Sequence, residues 1–366
     1  MWSQSIRIGF FSRSSAKSSV LCGKRTFSGD VKSKRIGLVG MGHVGDAVLH
    51  NLRRNGFTVS AISDKFIDKC TGRFPSEIPV MKTSREVAEN SDIVVTGLPK
   101  PPDVKDCFEG ADGLLAGLRQ DSVWIDHSTT DYGQNLDFDA AVKEKGAHLL
   151  EAPITGGLDA LKRGQMAVWV AGEKDVYTYT KPVFDASYST VMYTGGIGTA
   201  MIPKVVSNML CCVQVVAMGE MLMLAKRSGL DLKTFWHAIR ASAGNSFLWE
   251  TAGPNIFRGD YHESFALELQ VKDIQLCYDM AKKAKVPTEL IGAMHQIYNR
   301  ALYQLGPDVG CYAPPRLLEE ALKEDLRAPG FEKWTYDIEN VEGALHIRHK
   351  GVDLKMDESE KQNTKV

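Results

Sequence analysis

Arg35-Ile36-Gly37-Leu38-Val39-Gly40-Met41-Gly42-His43-Val44-Gly45 carries an apolar β-type run straight into a G-x-G-x-x-G turn. In a chain with 33 glycines the spacing alone means little, but its surroundings make it specific. A helical pattern follows through Leu52, and a second β-type run, Thr58 to Ser63, ends beside Asp64. Each glycine meets a physical need, with Gly40 making the tight turn, Gly42 letting backbone approach a pyrophosphate, and Gly45 permitting close helix packing. The helix N-terminus then faces the phosphates with its partial positive charge. The stretch therefore predicts a Rossmann-type domain whose turn, Gly40, Met41, Gly42, His43, Val44 and Gly45, cradles a dinucleotide. Asp64, with Ser63 beside it, is placed to bind the adenosine ribose, and its charge would repel a 2′-phosphate, so NAD is favoured over NADP. Lys65 is the competing signal: if the strand stops at Ser63, Asp64 points outward and Lys65 meets a phosphate.

Outward from this turn, short β-type runs recur at Asp92 to Leu98, Ser122 to Asp126, His148 to Glu151, Ala167 to Ala171 and Thr190 to Tyr193. Polar or amphipathic segments separate them, the rhythm of a mostly parallel sheet covered by helices on both faces. After Gly198 helical patterns take over, at roughly 200–228, 231–242, 246–256, 264–284 and 287–305. The fold expected is thus an α/β Rossmann-type domain over 30–195, followed by an all-α domain over 196–310. Beyond it, 311–366 reads as an extension of unknown role: a helix over Arg316 to Leu326, a hairpin over Lys333 to His349 turning at Glu342-Gly343, and a charged, disordered end.

Composition narrows the function. With 44 basic and 45 acidic residues the chain has no global field to attract nucleic acid or an anionic membrane. Seven cysteines without a C-x-x-C pair argue against a disulfide framework and a zinc cluster, so no metal site is expected. Residues 1–29 hold Arg7, Arg13, Lys17, Lys24 and Arg25, many serines and no acid, the composition of a mitochondrial transit peptide cut after Phe27. The mature protein is therefore expected in the matrix. Val205 to Ala225 is apolar enough for a membrane span, but Ser207, Asn208, Gln214 and Glu220 within it favour a buried helix of a soluble domain.

Five blocks in register carry a resemblance to the β-hydroxyacid dehydrogenase family over roughly residues 35–305. They are the turn at 37–45, Asp126-His127-Ser128-Thr129, Glu151-Ala152-Pro153-Ile154-Thr155-Gly156-Gly157, Gly198 through Lys204 to Asn208, and Phe265-Ala266-Leu267-Glu268-Leu269 leading to Lys272-Asp273. The resemblance implies a small carboxylate substrate held by Thr155, Gly156 and Gly157, with Lys204 as general acid/base and Asn208 as a substrate-orienting amide. The residue types permit this. Two glycines let N–H groups converge on an anion, and positions 204 and 208 stack on one face of a helix that Pro203 suits at its first turn. Leu98, Pro99, Ser128 and Thr129 are expected to line the nicotinamide, Phe265 to close over it, and Lys272 to meet substrate or cofactor. The chain departs from the family at Glu151 (usually Asp), Thr155 (usually Ser), Ser207 (commonly Asn), Ala200 (commonly Gly) and Asp131 (often Pro).

The reaction implied is NAD(P)-dependent oxidation of a small 3-hydroxy acid, foremost 3-hydroxyisobutyrate in valine catabolism, by a homo-oligomer joined through the all-α domain. Its rival within the family is an NADPH-dependent reductase of glyoxylate or succinic semialdehyde. A phosphosugar-acid dehydrogenase is disfavoured because no basic cluster is present to bind the phosphate. A non-catalytic Rossmann interaction module is the alternative of another class, against which Lys204, Asn208 and the leader all count.

Overall fold

The computed structural model describes residues 29–354 except 67, 69–71, 263, 264 and 343. The leader, its cleavage pattern, Gly343 of the expected turn and the charged end beyond 354 lie outside the described residues. Strands β1 (Arg35–Val39), β2 (Thr58–Ser63), β3 (Ile93–Thr96), β4 (Val123–Asp126) and β5 (His148–Glu151) run parallel in the order β2-β1-β3-β4-β5. The short β6 (Ile154–Thr155) and β5 both pair antiparallel with β7 (Ala167–Gly172), and β8 (Thr190–Gly195) runs parallel to β7 at the edge. All seven β-type runs are strands. β6 escapes a reading by period because two residues have none.

Helices cover both faces: α1 (His43–Arg54), α2 (Ser84–Glu89), α3 (Pro101–Phe108), α4 (Leu114–Gly117), α5 (Tyr132–Glu144), α6 (Leu158–Lys162) and α7 (Lys174–Asp185). The strand period of two decides what each face buries. Ile36, Leu38, Ile93, Val95, Val123, Ile125 and Leu150 join the core under α1, α6 and α7. Their neighbours Val39, Val94, Trp124 and Leu149 join the opposite core with Val87, Val104, Phe138 and Val142. Because every crossover returns over a face, the loops that follow β1, β3, β4 and β5 all emerge at one carboxyl edge, where ligands of such sheets bind.

The rest is helical: α8 (Met201–Arg227), α9 (Leu232–Arg240), α10 (Phe247–Arg258), α11 (Leu267–Lys283), α12 (Glu289–Leu305) and α13 (Arg316–Leu322). α8 is long and apolar enough to cross a membrane by length and composition, yet it serves as the central helix, with α9, α10, α11, α12 and α13 packed around it. Residues after 310 are no loose appendage. Leu326, Phe331 and Trp334 are buried in the same core as Trp236 and Phe257. The expected hairpin forms as β9 (Thr335–Val341) and β10 (Ala344–Lys350), paired antiparallel. Its Tyr336 packs on the helical core and its Ile338 on the sheet core, so it touches both domains.

Candidate active site

The glycine turn has the geometry its spacing predicts. Gly40 has φ 89°, and a Cβ there would lie 2.6 Å from the Gly97 carbonyl oxygen. A Cβ on Gly45 would come within 2.1 Å of the Gly40 carbonyl oxygen, so only glycine lets α1 sit against its own turn. At Gly42 a Cβ would meet nothing within 4 Å, and no side chain caps the helix that starts there. Met41 and Val44 turn inward to the core, while His43 is exposed. An open cradle with uncapped helix N–H groups suits the phosphates of a dinucleotide.

β2 stops at the buried Ser63, whose carbonyl accepts the Gly40 N–H. Asp64 nevertheless turns toward the glycine turn: its carboxylate accepts from Met41 N–H at 2.6 Å and from Phe66 N–H at 2.7 Å. Lys65 is exposed.

At the ends of β3 and β4 a buried network shapes the adjoining loops. Asp126 Oδ1 accepts from the Thr96 hydroxyl at 2.7 Å and from Ser128 N–H at 3.0 Å. Ser128 Oγ accepts the Leu98 N–H at 2.9 Å, which ties the Leu98-Pro99 loop to the Ser128-Thr129 loop. Burial raises the Asp126 carboxyl above its ordinary range, against the lowering effect of the Ser128 and Thr96 hydrogen bonds. His127 beside it is structural: its Nδ1–H donates to the Ala152 carbonyl at 2.7 Å, Tyr188 OH donates to Nε2 at 2.9 Å, and burial lowers it to about 4.

The helical domain supplies the other wall. Lys204 lies in the first turn of α8, and Asn208 follows one turn later on the same face. Lys204 Nζ donates to Asn208 Oδ1 at 3.4 Å, and Asn208 Nδ2 donates to the fully buried Asp273 on α11. Lys204 Nζ stands 5.9 Å from the centre of the Phe265 ring. Burial lowers the Lys204 ammonium below its ordinary value; Asp273 opposes this and the Lys272 charge adds to it. Lys272 has its ammonium bound by the protein, donating to the carbonyls of Pro99 and Thr129 at 3.0 Å each and pairing with Asp273 at 3.1 Å. It thus clamps α11 onto both the Leu98-Pro99 and the Ser128-Thr129 loops, and Lys100 with Glu268 forms a second, exposed pair across the same junction.

The structure therefore brings together Lys204, Asn208, Phe265, Lys272 and Asp273, with Leu98, Pro99, Ser128 and Thr129 opposite. Thr155, Gly156 and Gly157 stand at the carboxyl edge beyond β5, with φ 145° and 127° at the two glycines. Among the described residues no hydrogen bond joins Thr155 to Lys204. Two contributors escaped the sequence reading. Asp273 was visible only as the partner of Lys272 in a Lys-Asp pair. Glu151, whose carboxylate accepts the N–H groups of Gly198 and Met201 at the start of α8, was visible only as a departure from the family's aspartate, with no role attached.

Comparison with known proteins agrees with this geometry. Residues 35–195 match the family model described as the NAD binding domain of 6-phosphogluconate dehydrogenase, and residues 196–318 that of the NAD-binding domain of NADP-dependent 3-hydroxyisobutyrate dehydrogenase. Mitochondrial 3-hydroxyisobutyrate dehydrogenase of Mus musculus is 30% identical over 270 residues, 72% of this chain and 80% of that protein. The chain belongs to the β-hydroxyacid dehydrogenase family. L-threonate dehydrogenase of Cupriavidus necator is 29% identical over 74% of this β-hydroxyacid dehydrogenase and 91% of its own length. 2-(Hydroxymethyl)glutarate dehydrogenase of Eubacterium barkeri is 28% identical over 73% and 89%. The solved structure of Mycobacterium tuberculosis 3-hydroxyisobutyrate dehydrogenase with L-serine shares the fold, with TM-score 0.72, 24% identity and coverage of 78% of this chain and 99% of that one. As a β-hydroxyacid dehydrogenase the protein is an NAD(P)-dependent enzyme, and the reading as a non-catalytic module falls.

Proposed function

We propose that this enzyme oxidises 3-hydroxyisobutyrate to methylmalonate semialdehyde as a step of valine breakdown in the mitochondrial matrix, with NAD as the preferred cofactor. The observation that carries the reading is Lys204, buried beside Asn208 and Asp273 and opposite the Leu98-Pro99 and Ser128-Thr129 loops at the carboxyl edge of the sheet. Oxidation of an alcohol removes one proton and one hydride. Lys204, made easier to deprotonate by burial, takes the hydroxyl proton as the C–H bond breaks. Leu98, Pro99, Ser128 and Thr129 would hold a nicotinamide, which would supply the acceptor for that hydride. Asn208, its amide held by Asp273, orients the hydroxyl-bearing carbon, while Thr155 and the N–H groups of Gly156 and Gly157 receive the carboxylate. Asp64 at the glycine turn supports NAD, since a 2′-phosphate would meet its charge. Localisation draws on the basic, serine-rich leader and on the mitochondrial relatives.

The same reading includes a homo-oligomer. Ile202, Val206, Leu210, Met221 and Leu224 form an exposed apolar stripe along α8, a helix ~40 Å long at 1.5 Å per residue. Apart from Glu220 and Arg227 toward its C-terminal end the stripe is apolar, which fits a second copy of the same helix better than a polar partner. Light scattering should give a multiple of the monomer mass, reduced to the monomer by Leu210→Glu.

Steady-state rates with purified protein test the substrate reading. The highest kcat/KM is expected for 3-hydroxyisobutyrate with NAD, compared against L-threonate and 2-(hydroxymethyl)glutarate, each with NAD and NADP. Faster turnover of either competitor overturns the assignment, and NADPH-driven reduction of glyoxylate or succinic semialdehyde that outruns every oxidation selects the reductase instead.

A further inference from the structure

α8 begins without a side chain of its own to cap it: Ala200 stands at its N-cap and contributes no side-chain hydrogen bond. A helix start leaves N–H groups without intrahelical partners, and a buried one left bare is costly. Here Glu151, only 1% exposed, reaches across from the end of β5. Its Oε2 accepts the Gly198 N–H and its Oε1 the Met201 N–H. The loop between packs closely on α5, because Gly198 has φ 95° and a Cβ there would meet the Tyr132 ring at 2.2 Å. Lys204 follows Met201 by one helical turn, and its own N–H makes only a long 3.4 Å bond to the Ala200 carbonyl. The height and rotation of its side chain over the sheet edge therefore depend on what holds residues 198 to 201.

We propose that Glu151 is the positioning residue for Lys204: its two-oxygen grip on Gly198 and Met201 sets the first turn of α8 so that the amine meets the reacting oxygen. The inference rests on Lys204 being the acid/base. Both oxygens must accept, so the ionised form grips better than the protonated one, whose O–H would face an N–H. The other groups facing the carboxylate are Asn135 from α5 and the buried Asp126 from β4. Burial pushes Glu151 up to about 7, Asp126 adds to the rise, and the two N–H bonds and Asn135 oppose it. The grip thus loosens as pH falls through neutrality.

The test uses the reductive direction, NADH consumption with methylmalonate semialdehyde, or with succinic semialdehyde if the first is not turned over. There Lys204 must carry its proton, so deprotonation of Lys204 gives an alkaline limb, and an acid limb reports Glu151. Wild-type kcat should fall on the acid side of about pH 7. Glu151→Gln should lower kcat at pH 8 by roughly 10- to 100-fold, the scale of a small misplacement of reacting groups, and abolish the acid limb. NADH affinity, followed by fluorescence, should stay within about twofold because the glycine turn is untouched. Glu151→Asp, which keeps a titrating carboxylate, should recover part of the rate and keep an acid limb. A wild-type profile in Glu151→Gln, or a change in KM alone, overturns the proposal. Should Glu151→Gln fail to fold, loss of the acid limb in folded Glu151→Asp overturns it equally. Lys204→Ala, run beside them, separates the two readings: full turnover there removes Lys204 as the acid/base, whereas an inactive Lys204→Ala with a normal Glu151→Gln removes only the role of Glu151.

Discussion

Lys204 is the residue whose loss should separate chemistry from binding. Lys204→Ala should cut kcat by roughly 10²- to 10⁴-fold, the usual contribution of a positioned acid/base, and leave NAD affinity nearly unchanged. Loss of cofactor binding together with turnover would point to a structural role instead. Asn208→Ala should chiefly lower kcat/KM through lost orientation, and the double variant should cost less than the product of the singles because both act on one substrate. The same scale holds the cofactor choice. Asp64 is anchored by Met41 and Phe66 N–H groups, so Asp64→Ser both loosens the turn and removes the charge facing a 2′-phosphate. The ratio of kcat/KM for NADP to that for NAD should rise by at least about tenfold, and an unchanged ratio would show that Asp64 does not face the ribose. One of the chain's departures from its family also finds its reason at this scale. Asp131, where proline is frequent, caps α5 by accepting the N–H groups of Gly133 and Gln134.

Among the elements, α1 shows how one atom governs a function. Because a Cβ on Gly45 would sit 2.1 Å from the Gly40 carbonyl oxygen, Gly45→Ala must push the helix off the turn rather than rotate a side chain away. Overpacking of this kind costs about 1–3 kcal/mol, and here the displaced groups are those proposed to bind the pyrophosphate. Cofactor affinity should fall by more than about tenfold with a lower Tm, measured by NADH fluorescence and calorimetry; Gly56→Ala, in open space beyond the same helix though at φ 81°, should leave affinity alone. α11 plays the complementary part on the far wall. Its Lys272 joins the β3 and β4 loops to the helical domain, so the two halves of the site keep their spacing through one half-buried ammonium group, with the exposed Lys100–Glu268 pair beside it.

For the whole molecule, the region after α13 links the domains. Trp334 donates its indole N–H to His349 Nδ1 at 3.0 Å, and His349 Nε2–H donates to Glu250 Oε2 at 2.7 Å, so the imidazole bridges the hairpin to α10. Burial alone would raise Glu250, but the hydrogen bonds from His349 and Asn245 and the charge of Arg240 hold it at about 2, below the ordinary 4.5. A carboxyl with a depressed folded pKa stabilises fully above its unfolded pKa and loses that contribution as pH falls through the folded one. The gap in urea midpoint between wild type and Glu250→Gln should therefore be largest at neutral pH and shrink from pH 4.5 toward about 2. A gap independent of pH would show that the carboxylate is not what anchors the hairpin. Ending the chain at Leu322 should be far more damaging, since it strips Leu326, Phe331 and Trp334 from the second core.

The strands, both core faces and the dinucleotide turn are legible in the sequence, because each is written in residues close together: an alternation of two, a helical repeat, three glycines at fixed intervals. Lys204 and Asn208 are legible as a pair for the same reason, being one helical turn apart. What surrounds them is not. Asn208 meets Asp273 from 65 positions away, Met201 meets Glu151 from 50, and Lys272 reaches Pro99 across 173. Such partners share no period and no spacing, since a buried hydrogen bond depends on where two surfaces meet and not on the chain between them. The lowered Lys204 ammonium, the raised Glu151 carboxyl and the clamp between domains follow from burial and from those meetings. Only the packed tertiary structure creates either.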